Sequence, residues 1–305
     1  MRQYLNTQRA LATTAMLSVL MAAGLTVGVS TPALAEFEIN ESGVEKGESE
    51  LEYRGAVHWG VPKGEEGEGG EGDEEEAGGG GVLEEEEEGE GLRQSHDFEF
   101  EYGLTDRIKG AVTLSADEPI EGDFDLAGVE LEAQYELIER EGDGLGFAIG
   151  GGYGFATRGG EADEIEFGAI LDVESKRLLL TLNPLFVAQV GDNRESGGLG
   201  FEYGWRGEYK VARSWGVGVE MFGEIEQLAH SGPFDDQNHS IGPTLFYNPG
   251  DGDDNIGGLG DYDDDDDDEI AGEPEMEFVF NVGLQFGLTD ATSDTALKFQ
   301  GGVEF

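Results

Sequence analysis

The sequence contains no cysteine and few basic side chains, and each scarcity excludes a class of protein. Without cysteine, the chain cannot be a disulfide-stapled scaffold or hold zinc through thiolates. Its 17 Lys and Arg residues stand against 68 Asp and Glu residues, so its formal net charge is −51. Nucleic-acid binding needs clustered cations against phosphate, so we expect no nucleic-acid partner. The 52 glycines follow no three-residue period, which excludes collagen.

Long apolar runs are also scarce, and the one that stands out lies near the start of the chain. Basic residues precede an uncharged apolar stretch over residues 11–29, and small residues lead up to Ala35. This order is typical of a secretory signal peptide, so we predict that residues 1–35 are cleaved and that residues 36–305 form the mature protein. An uncleaved membrane anchor is the alternative that the length of the stretch allows. No later run could form a spanning helix, which leaves a periplasmic, secreted or strand-inserted protein.

Apolar and polar side chains alternate along most of the remaining sequence. Leu51, Tyr53 and Val57 share one face, for example, while acidic side chains occupy the other. A period of two residues predicts β-strands. Pro184 and Pro243 fall inside two of them and each removes a ladder hydrogen bond, so we expect bulges or register changes there. Twelve strands are predicted, near residues 48–59, 97–102, 108–115, 129–137, 145–156, 164–173, 177–190, 199–209, 215–226, 239–248, 276–288 and 295–305.

Three features favour a membrane barrel over a soluble sandwich. Many predicted strands have about 10 to 13 residues, which suits a tilted bilayer crossing, whereas soluble strands usually have about 5 or 6. Large aromatic residues such as Trp59 and Trp215 lie near strand ends, as in interfacial girdles. The terminal Phe305 resembles the ending of bacterial outer-membrane barrels, where it is a signal to the assembly machinery. We therefore expect an all-β, transmembrane antiparallel β-barrel of about twelve strands, with outer-membrane lipid and that machinery as partners.

Short turn-and-strand signatures carry a family resemblance. They are Tyr-Gly-Leu-Thr-Asp-Arg over residues 102–107, Ile-Gly-Pro over 241–243, and Phe-Gly-Leu-Thr-Asp-Ala over 286–291, leading to Phe305. In these segments the chain is similar to proteobacterial outer-membrane β-barrel proteins, transporters loosely grouped with a phenol meta-degradation pathway. The resemblance implies a location in the outer membrane of a Gram-negative bacterium and a transport role. It transfers no functional residue.

Two inserts, residues 61–92 and 249–275, are rich in glycine and acidic residues and carry about half of the net charge. Such segments bury too little apolar area to fold, so we expect disorder, with weak binding of divalent cations as a further possibility. An even number of strands places both ends of the barrel sequence on the periplasmic side. Residues 249–275 then fall on that side too, where turns are usually short. Either this insert is unusual or one strand has been miscounted.

If the apolar faces contact lipid, the acidic faces line the interior. So many carboxylates cannot all be dry, because burying an unpaired charge is costly. We therefore hypothesise a passive diffusion pore that favours cations. We expect Arg54 and Lys298 to meet acids from neighbouring strands. The alternative is that salt bridges fill the interior and leave no path. The predicted pore-lining residues are Glu50, Glu52, Arg54, Glu99, Lys109, Glu130, Glu132, Arg206, Glu220 and Lys298.

The sequence offers no catalytic residue, cofactor or metal site. His96 follows Ser95 and His239 precedes Ser240, but neighbours on a strand point to opposite faces and cannot form a dyad. His58 faces the interior, and no partner is marked for it. A non-conducting structural or adhesive surface barrel is the alternative function, and a barrel-type hydrolase is a third. The scarcity of lysine and the excess of acids also fit a high-salt habitat, where ions screen self-repulsion.

Overall fold

The alternating segments pair with their neighbours along the chain and close into one antiparallel β-barrel of twelve strands in this computed structural model, as predicted. The structure describes residues 36–62, 92–118, 124–140, 142–194, 198–249 and 276–305. Across these ranges, no helix is long and apolar enough to cross a membrane. The strands are β1 (Ser49–Trp59), β2 (Leu92–Thr105), β3 (Ile108–Glu118), β4 (Asp125–Ile138), β5 (Gly144–Ala156), β6 (Asp163–Ser175), β7 (Leu178–Val190), β8 (Leu199–Ala212), β9 (Trp215–Ile225), β10 (Asn238–Tyr247), β11 (Glu277–Gly287) and β12 (Thr295–Glu304).

The barrel closes between its first and last strands. β1 pairs with β12 from Glu50 opposite Glu304 to Trp59 opposite Thr295. Beyond the paired strands, the Phe305 N–H donates to the Ser49 carbonyl at 2.9 Å, and the Ser49 N–H donates to the Phe305 carbonyl at 3.0 Å. Closure leaves no strand edge unpaired, which a barrel exposed to lipid requires.

The two ends of the barrel differ in their connections. One, the turn end, holds the start of β1, Phe305 and tight turns such as those between β6 and β7 and between β8 and β9. The other, the loop end, holds the longer connections, including residues 157–162 between β5 and β6. β10 finishes and β11 begins at the turn end, so no strand was miscounted before the 249–275 insert. The insert residues 63–91 and 250–275, and the predicted signal peptide 1–35, lie outside the described residues.

Apolar side chains point outward and polar ones inward. The exposed fraction is 54% for Phe98 and 58% for Phe167, whereas Glu99, Glu130 and Glu220 are buried inside the barrel. A water-soluble domain has the opposite arrangement, with apolar side chains buried and charged ones exposed. The outward face thus has the composition of a lipid-facing surface.

The two strand prolines interrupt the sheet without shifting it. Between β6 and β7 the pairing skips Pro184, yet it resumes in the same register, and the pairing of β10 with β11 skips Pro243 in the same way. On their other sides, Pro184 stays paired with Tyr203 and Pro243 with Val219. A strand residue points its N–H toward one neighbour only, so a proline weakens one ladder and leaves the other. The predicted register changes at these residues are therefore wrong.

Candidate functional site

An extended segment before β1 lies inside the barrel. We call residues 36–48 the luminal strap. At the loop end, Glu36 Oε1 lies 2.9 Å from His58 Nε2, and at the turn end the Gly47 N–H donates to the Gly103 carbonyl at 2.8 Å. Between these two contacts the chain can extend about 36 Å, which exceeds the ~30 Å of a bilayer's hydrocarbon core. The strap therefore runs through the interior from one end to the other.

The loop-end fastening of the strap centres on Glu36. Its carboxylate contacts His58 and also lies 3.2 Å from Arg93 Nη2. The other ring nitrogen of His58, Nδ1, lies 2.9 Å from Ser293 Oγ in the connection between β11 and β12. Phe37 stacks on the His58 ring with centroids 5.5 Å apart. This network ties the first described residues to β1, β2 and the β11–β12 connection.

The middle fastening centres on Arg54, one of the predicted pore-lining residues. Its guanidinium group lies 2.7 Å from Glu52, 2.6 Å from Glu99 and 2.9 Å from Glu38 of the strap. Oxygen atoms of Glu38, Glu99 and Glu132 also lie within 4.8 Å of one another. Arg54 therefore compensates several carboxylates at once, and one of them belongs to the strap.

A third fastening joins the strap to β8 and to the turn before β5. The carboxylate of Glu41 forms salt bridges with Arg206 and, at 3.7 Å, with Arg140. Arg140 in turn lies 2.8 Å from Glu174, which also binds Lys210 at 2.6 Å. The predicted pore-lining residue Arg206 is thus bound by a carboxylate of the strap.

The backbone of the strap is held by side chains of the wall. The Asn40 N–H donates to Asn183 Oδ1 at 2.5 Å, and Asn183 Nδ2 donates to the Asn40 carbonyl at 3.0 Å. The Ser42 N–H donates to Asp172 Oδ2 at 2.6 Å, and Gln134 Nε2 donates to the Ser42 carbonyl at 3.0 Å. These polar groups replace water around a chain that belongs to no sheet.

Glycines on the inner wall leave room for the strap. A Cβ atom added to Gly204 would lie 2.9 Å from the Glu38 carbonyl oxygen, and one added to Gly103 would overlap the carbonyl of Glu45. A Cβ atom at Gly146 would overlap the hydroxyl oxygen of Ser42. Larger residues at these places on β2, β5 and β8 would collide with the strap, so the wall is shaped to hold it.

The remaining bases inside the barrel also bind acids. Lys109 Nζ lies 2.8 Å from Glu101, and Lys298 Nζ lies 2.6 Å from Glu220. Thr244 Oγ1 donates to the same Glu220 carboxylate at 2.7 Å. Lys298 on β12 reaches across to β9, so the expectation that its partner would come from a neighbouring strand is wrong. The lysine side chain is long enough to reach an acid on a non-neighbouring strand across the interior. Strand order alone does not give that distance.

Acidic side chains concentrate on the wall formed by β4, β6, β8 and β9. Gly152 on β5 lies between Glu130 and Glu166, and a Cβ atom there would lie 2.6 Å and 2.9 Å from their carboxylate oxygens. Glu202 and Glu224 are direct cross-strand partners. We call this surface the acidic wall. Its members are Glu130, Glu132, Glu164, Glu166, Glu202 and Glu224.

All ten predicted pore-lining residues lie at inward-facing positions of their strands. The structure brings Glu52, Arg54 and Glu99 together and pairs Glu220 with Lys298, whereas Arg206 and Lys109 bind other partners. That they line a conducting pore remains a prediction. Sequence reasoning missed the strap, although its start alternates acidic residues with Phe37 and Ile39 just as the strands do.

Comparisons with known proteins identify similar folds but no family. No protein-family model matches the chain, and no curated protein matches it. Similar solved structures include the KdgM porin in complex with disordered oligogalacturonate, with 8% identity over 84% of this chain and 98% of that chain and a TM-score of 0.43. The NanC porin has 10% identity over 84% and 98% of the two chains, with a TM-score of 0.45. The outer-membrane channel DcaP of Acinetobacter baumannii has 8% identity over 88% and 99%, with a TM-score of 0.31. Likeness at this level describes the barrel architecture alone.

Proposed function

We propose that the chain is a bacterial outer-membrane β-barrel that passes small cations or neutral solutes in preference to anions. The observation that carries this proposal is a closed barrel with an apolar exterior and an interior in which carboxylates predominate. The outward face suits lipid, and the acidic wall supplies the field inside.

Aromatic side chains support the membrane position. At the turn end, the ring of Trp215 lies 4.9 Å from that of Tyr247 and 5.8 Å from that of Phe280. At the loop end, Trp59 is exposed on the outer surface. Rings at both ends of an apolar belt are typical of the interfacial girdles of outer-membrane barrels. The strands of 10 to 14 residues are long enough for the crossing.

The acidic wall supports the preference for cations. Carboxylates from β4, β6, β8 and β9 face the interior together, and Gly152 lets Glu130 and Glu166 approach each other. Like charges this close need water, protons or counter-ions between them. A cation entering the barrel is attracted by this field and an anion is repelled, as with the acidic rings of cation channels.

The reversal potential across a planar bilayer in a salt gradient tests the proposal. We expect cation selectivity that falls in the Glu130→Gln/Glu166→Gln variant, because two carboxylates of the acidic wall are lost. Asp235→Asn/Asp236→Asn removes the same charge from an exposed connection at the loop end and should leave selectivity unchanged. Anion selectivity would contradict the proposal. Absence of conductance, both in the native chain and in a Glu36→Gln/Glu38→Gln/Glu41→Gln variant whose strap has lost its salt bridges, would favour a non-conducting structural barrel.

A second candidate function, ester hydrolysis, has one observation in its favour. Ser293 Oγ, the His58 ring and the Glu36 carboxylate form a chain with contacts of 2.9 Å and 2.9 Å. A serine nucleophile, a histidine base and an orienting acid are the parts of a hydrolytic triad. The exposed fraction of His58 is only 3%, however, and Glu36 also binds Arg93, which favours an anchoring role.

A fluorophosphonate probe distinguishes these roles, because it forms a covalent bond to an activated serine oxygen and releases fluoride. Labelling of the native protein that disappears in both Ser293→Ala and His58→Asn would establish hydrolytic chemistry. We expect no labelling, because the serine and histidine act as a fastening for the strap.

A further inference from the structure

We infer that the luminal strap, residues 36–48, closes the pathway through the barrel and that its release opens it. This inference rests on the proposed pore function and adds its regulation. The strap would be an internal gate, held by polar contacts that can be exchanged for water.

The first argument is the position of the strap across the interior. Three of its five carboxylates form salt bridges with bases on different parts of the wall: Glu36 contacts Arg93 on β2, Glu38 contacts Arg54 on β1, and Glu41 contacts Arg206 on β8. Its backbone contacts side chains on β4, β6 and β7 as well. Residues 36–42 thus contact both β1 and β2 and the opposite strands β6 to β8, so this part of the strap crosses the interior.

The second argument concerns space. In a barrel of about eight strands, the inward side chains alone fill the interior, whereas more strands leave room along the axis. Here twelve strands provide that room, and glycines such as Gly103 and Gly204 enlarge it where the strap passes. The strap thus takes the place that a solute would need.

The third argument is that the strap can leave without unfolding the barrel. The barrel is already closed by the pairing of β1 with β12, and between its ends the strap is held by side chains such as Asn183, Asp172 and Gln134. Glu38 also lies near Glu99 and Glu132, so like-charge repulsion works against its salt bridge with Arg54. Release of the strap therefore breaks salt bridges and hydrogen bonds to side chains but no strand pairing of the barrel.

A disulfide between strap and wall tests whether the strap must move. The chain has no cysteine, so an engineered pair meets no competing thiol. Ser42→Cys with Gly146→Cys fits, because the Cβ atoms would lie 3.5 Å apart and disulfides have Cβ separations of about 3.5 to 4.5 Å. We expect the oxidised pair to abolish channel opening and its reduction to restore opening. Equal conductance in both states would overturn the inference.

A strap-released variant tests the opposite direction. Glu36→Gln/Glu38→Gln/Glu41→Gln removes the salt bridges of these three strap carboxylates with the wall. We expect the open fraction to rise about tenfold or more, the change that ~1.4 kcal/mol of lost contact energy produces. The matched control is Asp235→Asn/Asp236→Asn/Asp290→Asn, which removes the same charge from exposed loop-end residues. Heat-modifiable migration on a gel confirms that each variant is folded.

Thiol labelling separates a failure of this inference from a failure of the pore proposal. In a chain with Ser42→Cys alone, a membrane-impermeant maleimide should react slowly, and at least about tenfold faster when the three glutamine substitutions are added. Unchanged labelling would overturn the strap's release whatever the conductance. Faster labelling without any conductance would instead contradict the pore proposal. The strap would then be a releasable segment inside a non-conducting barrel. Faster labelling with anion-selective conductance would support the gate and overturn only the cation preference.

Discussion

At Arg54 a single guanidinium group compensates carboxylates from three parts of the chain. Glu52 lies on the same strand, Glu99 on β2 and Glu38 on the strap, all at 2.6 to 2.9 Å. The exposed fraction of Arg54 is 5%, so water screens these pairs little. Removal of one partner from a buried ionic cluster leaves the others uncompensated, which costs more than the cluster contributes as a whole.

We therefore expect Arg54→Gln to lower the free energy of unfolding by about 3 to 5 kcal/mol. Urea unfolding in detergent, followed by gel migration, measures this change. Arg93→Gln is the matched control, because Arg93 is more exposed than Arg54 and its salt bridge joins it to one carboxylate, that of Glu36. Its loss should therefore cost clearly less. Adding Glu99→Gln to Arg54→Gln should recover part of the loss. Equal destabilisation by the Arg54 and Arg93 substitutions would contradict this account.

The sequence indicated part of this cluster. Glu52, Arg54 and Glu99 share the inward face of two strands that are neighbours along the chain, so their approach follows from the period of two. The contribution of Glu38 could not be predicted in this way, because the strap is not paired in the barrel. The Lys298–Glu220 pair could not be predicted from the sequence for a related reason. The pair spans the interior, and the distance between the two side chains is set by the closed three-dimensional barrel.

At the scale of elements, the strap packs closely against the inner wall because the wall has glycines where the strap passes. Gly204 on β8 approaches the carbonyl of Glu38 so closely that a methyl group would stand 2.9 Å from it. Gly150 on β5 also faces inward, but a methyl group there would meet only the Ala133 carbonyl at 3.6 Å, an ordinary contact. Both glycines therefore lie on an inner strand face, but Gly204 approaches the strap and Gly150 approaches a wall residue.

We expect Gly204→Ala to displace the strap locally and Gly150→Ala to leave it in place. With Ser42→Cys in both chains, maleimide labelling should be several-fold faster in the first and unchanged in the second, because backbone atoms cannot yield at 2.9 Å without a shift of the strap. Faster labelling in both variants would point to general loosening of the barrel. Unchanged labelling in both would show that the wall adjusts around the added methyl group.

Most strand positions followed from alternation because each strand has one face toward lipid and one toward the interior. β2 is an exception, since it begins at Leu92, well before the apolar alternation at Phe98. Its first residues include polar side chains such as Gln94 on the outer face, so the alternation of apolar and polar residues is not visible there. The prolines show a different limit: Pro184 predicts a lost hydrogen bond but does not say whether the register shifts, because the second ladder can hold it.

At the scale of the whole molecule, acids far outnumber bases, and the two sets of charges differ in their exposure to ions. The formal net charge is −51, and about half of it falls in the two inserts. Exposed like charges repel one another, and raising the salt to about 1 M shortens the screening length to about 3 Å. The buried pairs that hold the strap, such as Arg54 with Glu38, are screened much less. Salt should therefore act on the barrel's self-repulsion before it acts on the strap.

We predict that the free energy of unfolding rises between about 0.05 and about 1 M NaCl, while maleimide labelling of Ser42→Cys stays nearly constant. Stability that fails to rise would argue against an adaptation to high salt, and labelling that accelerates with salt would show that the strap's salt bridges are wetter than their burial implies. CaCl₂ at matched ionic strength is the informative comparison. Screening alone predicts equal stabilisation by the two salts, whereas a larger effect of calcium would indicate divalent binding by the acidic inserts 61–92 and 249–275.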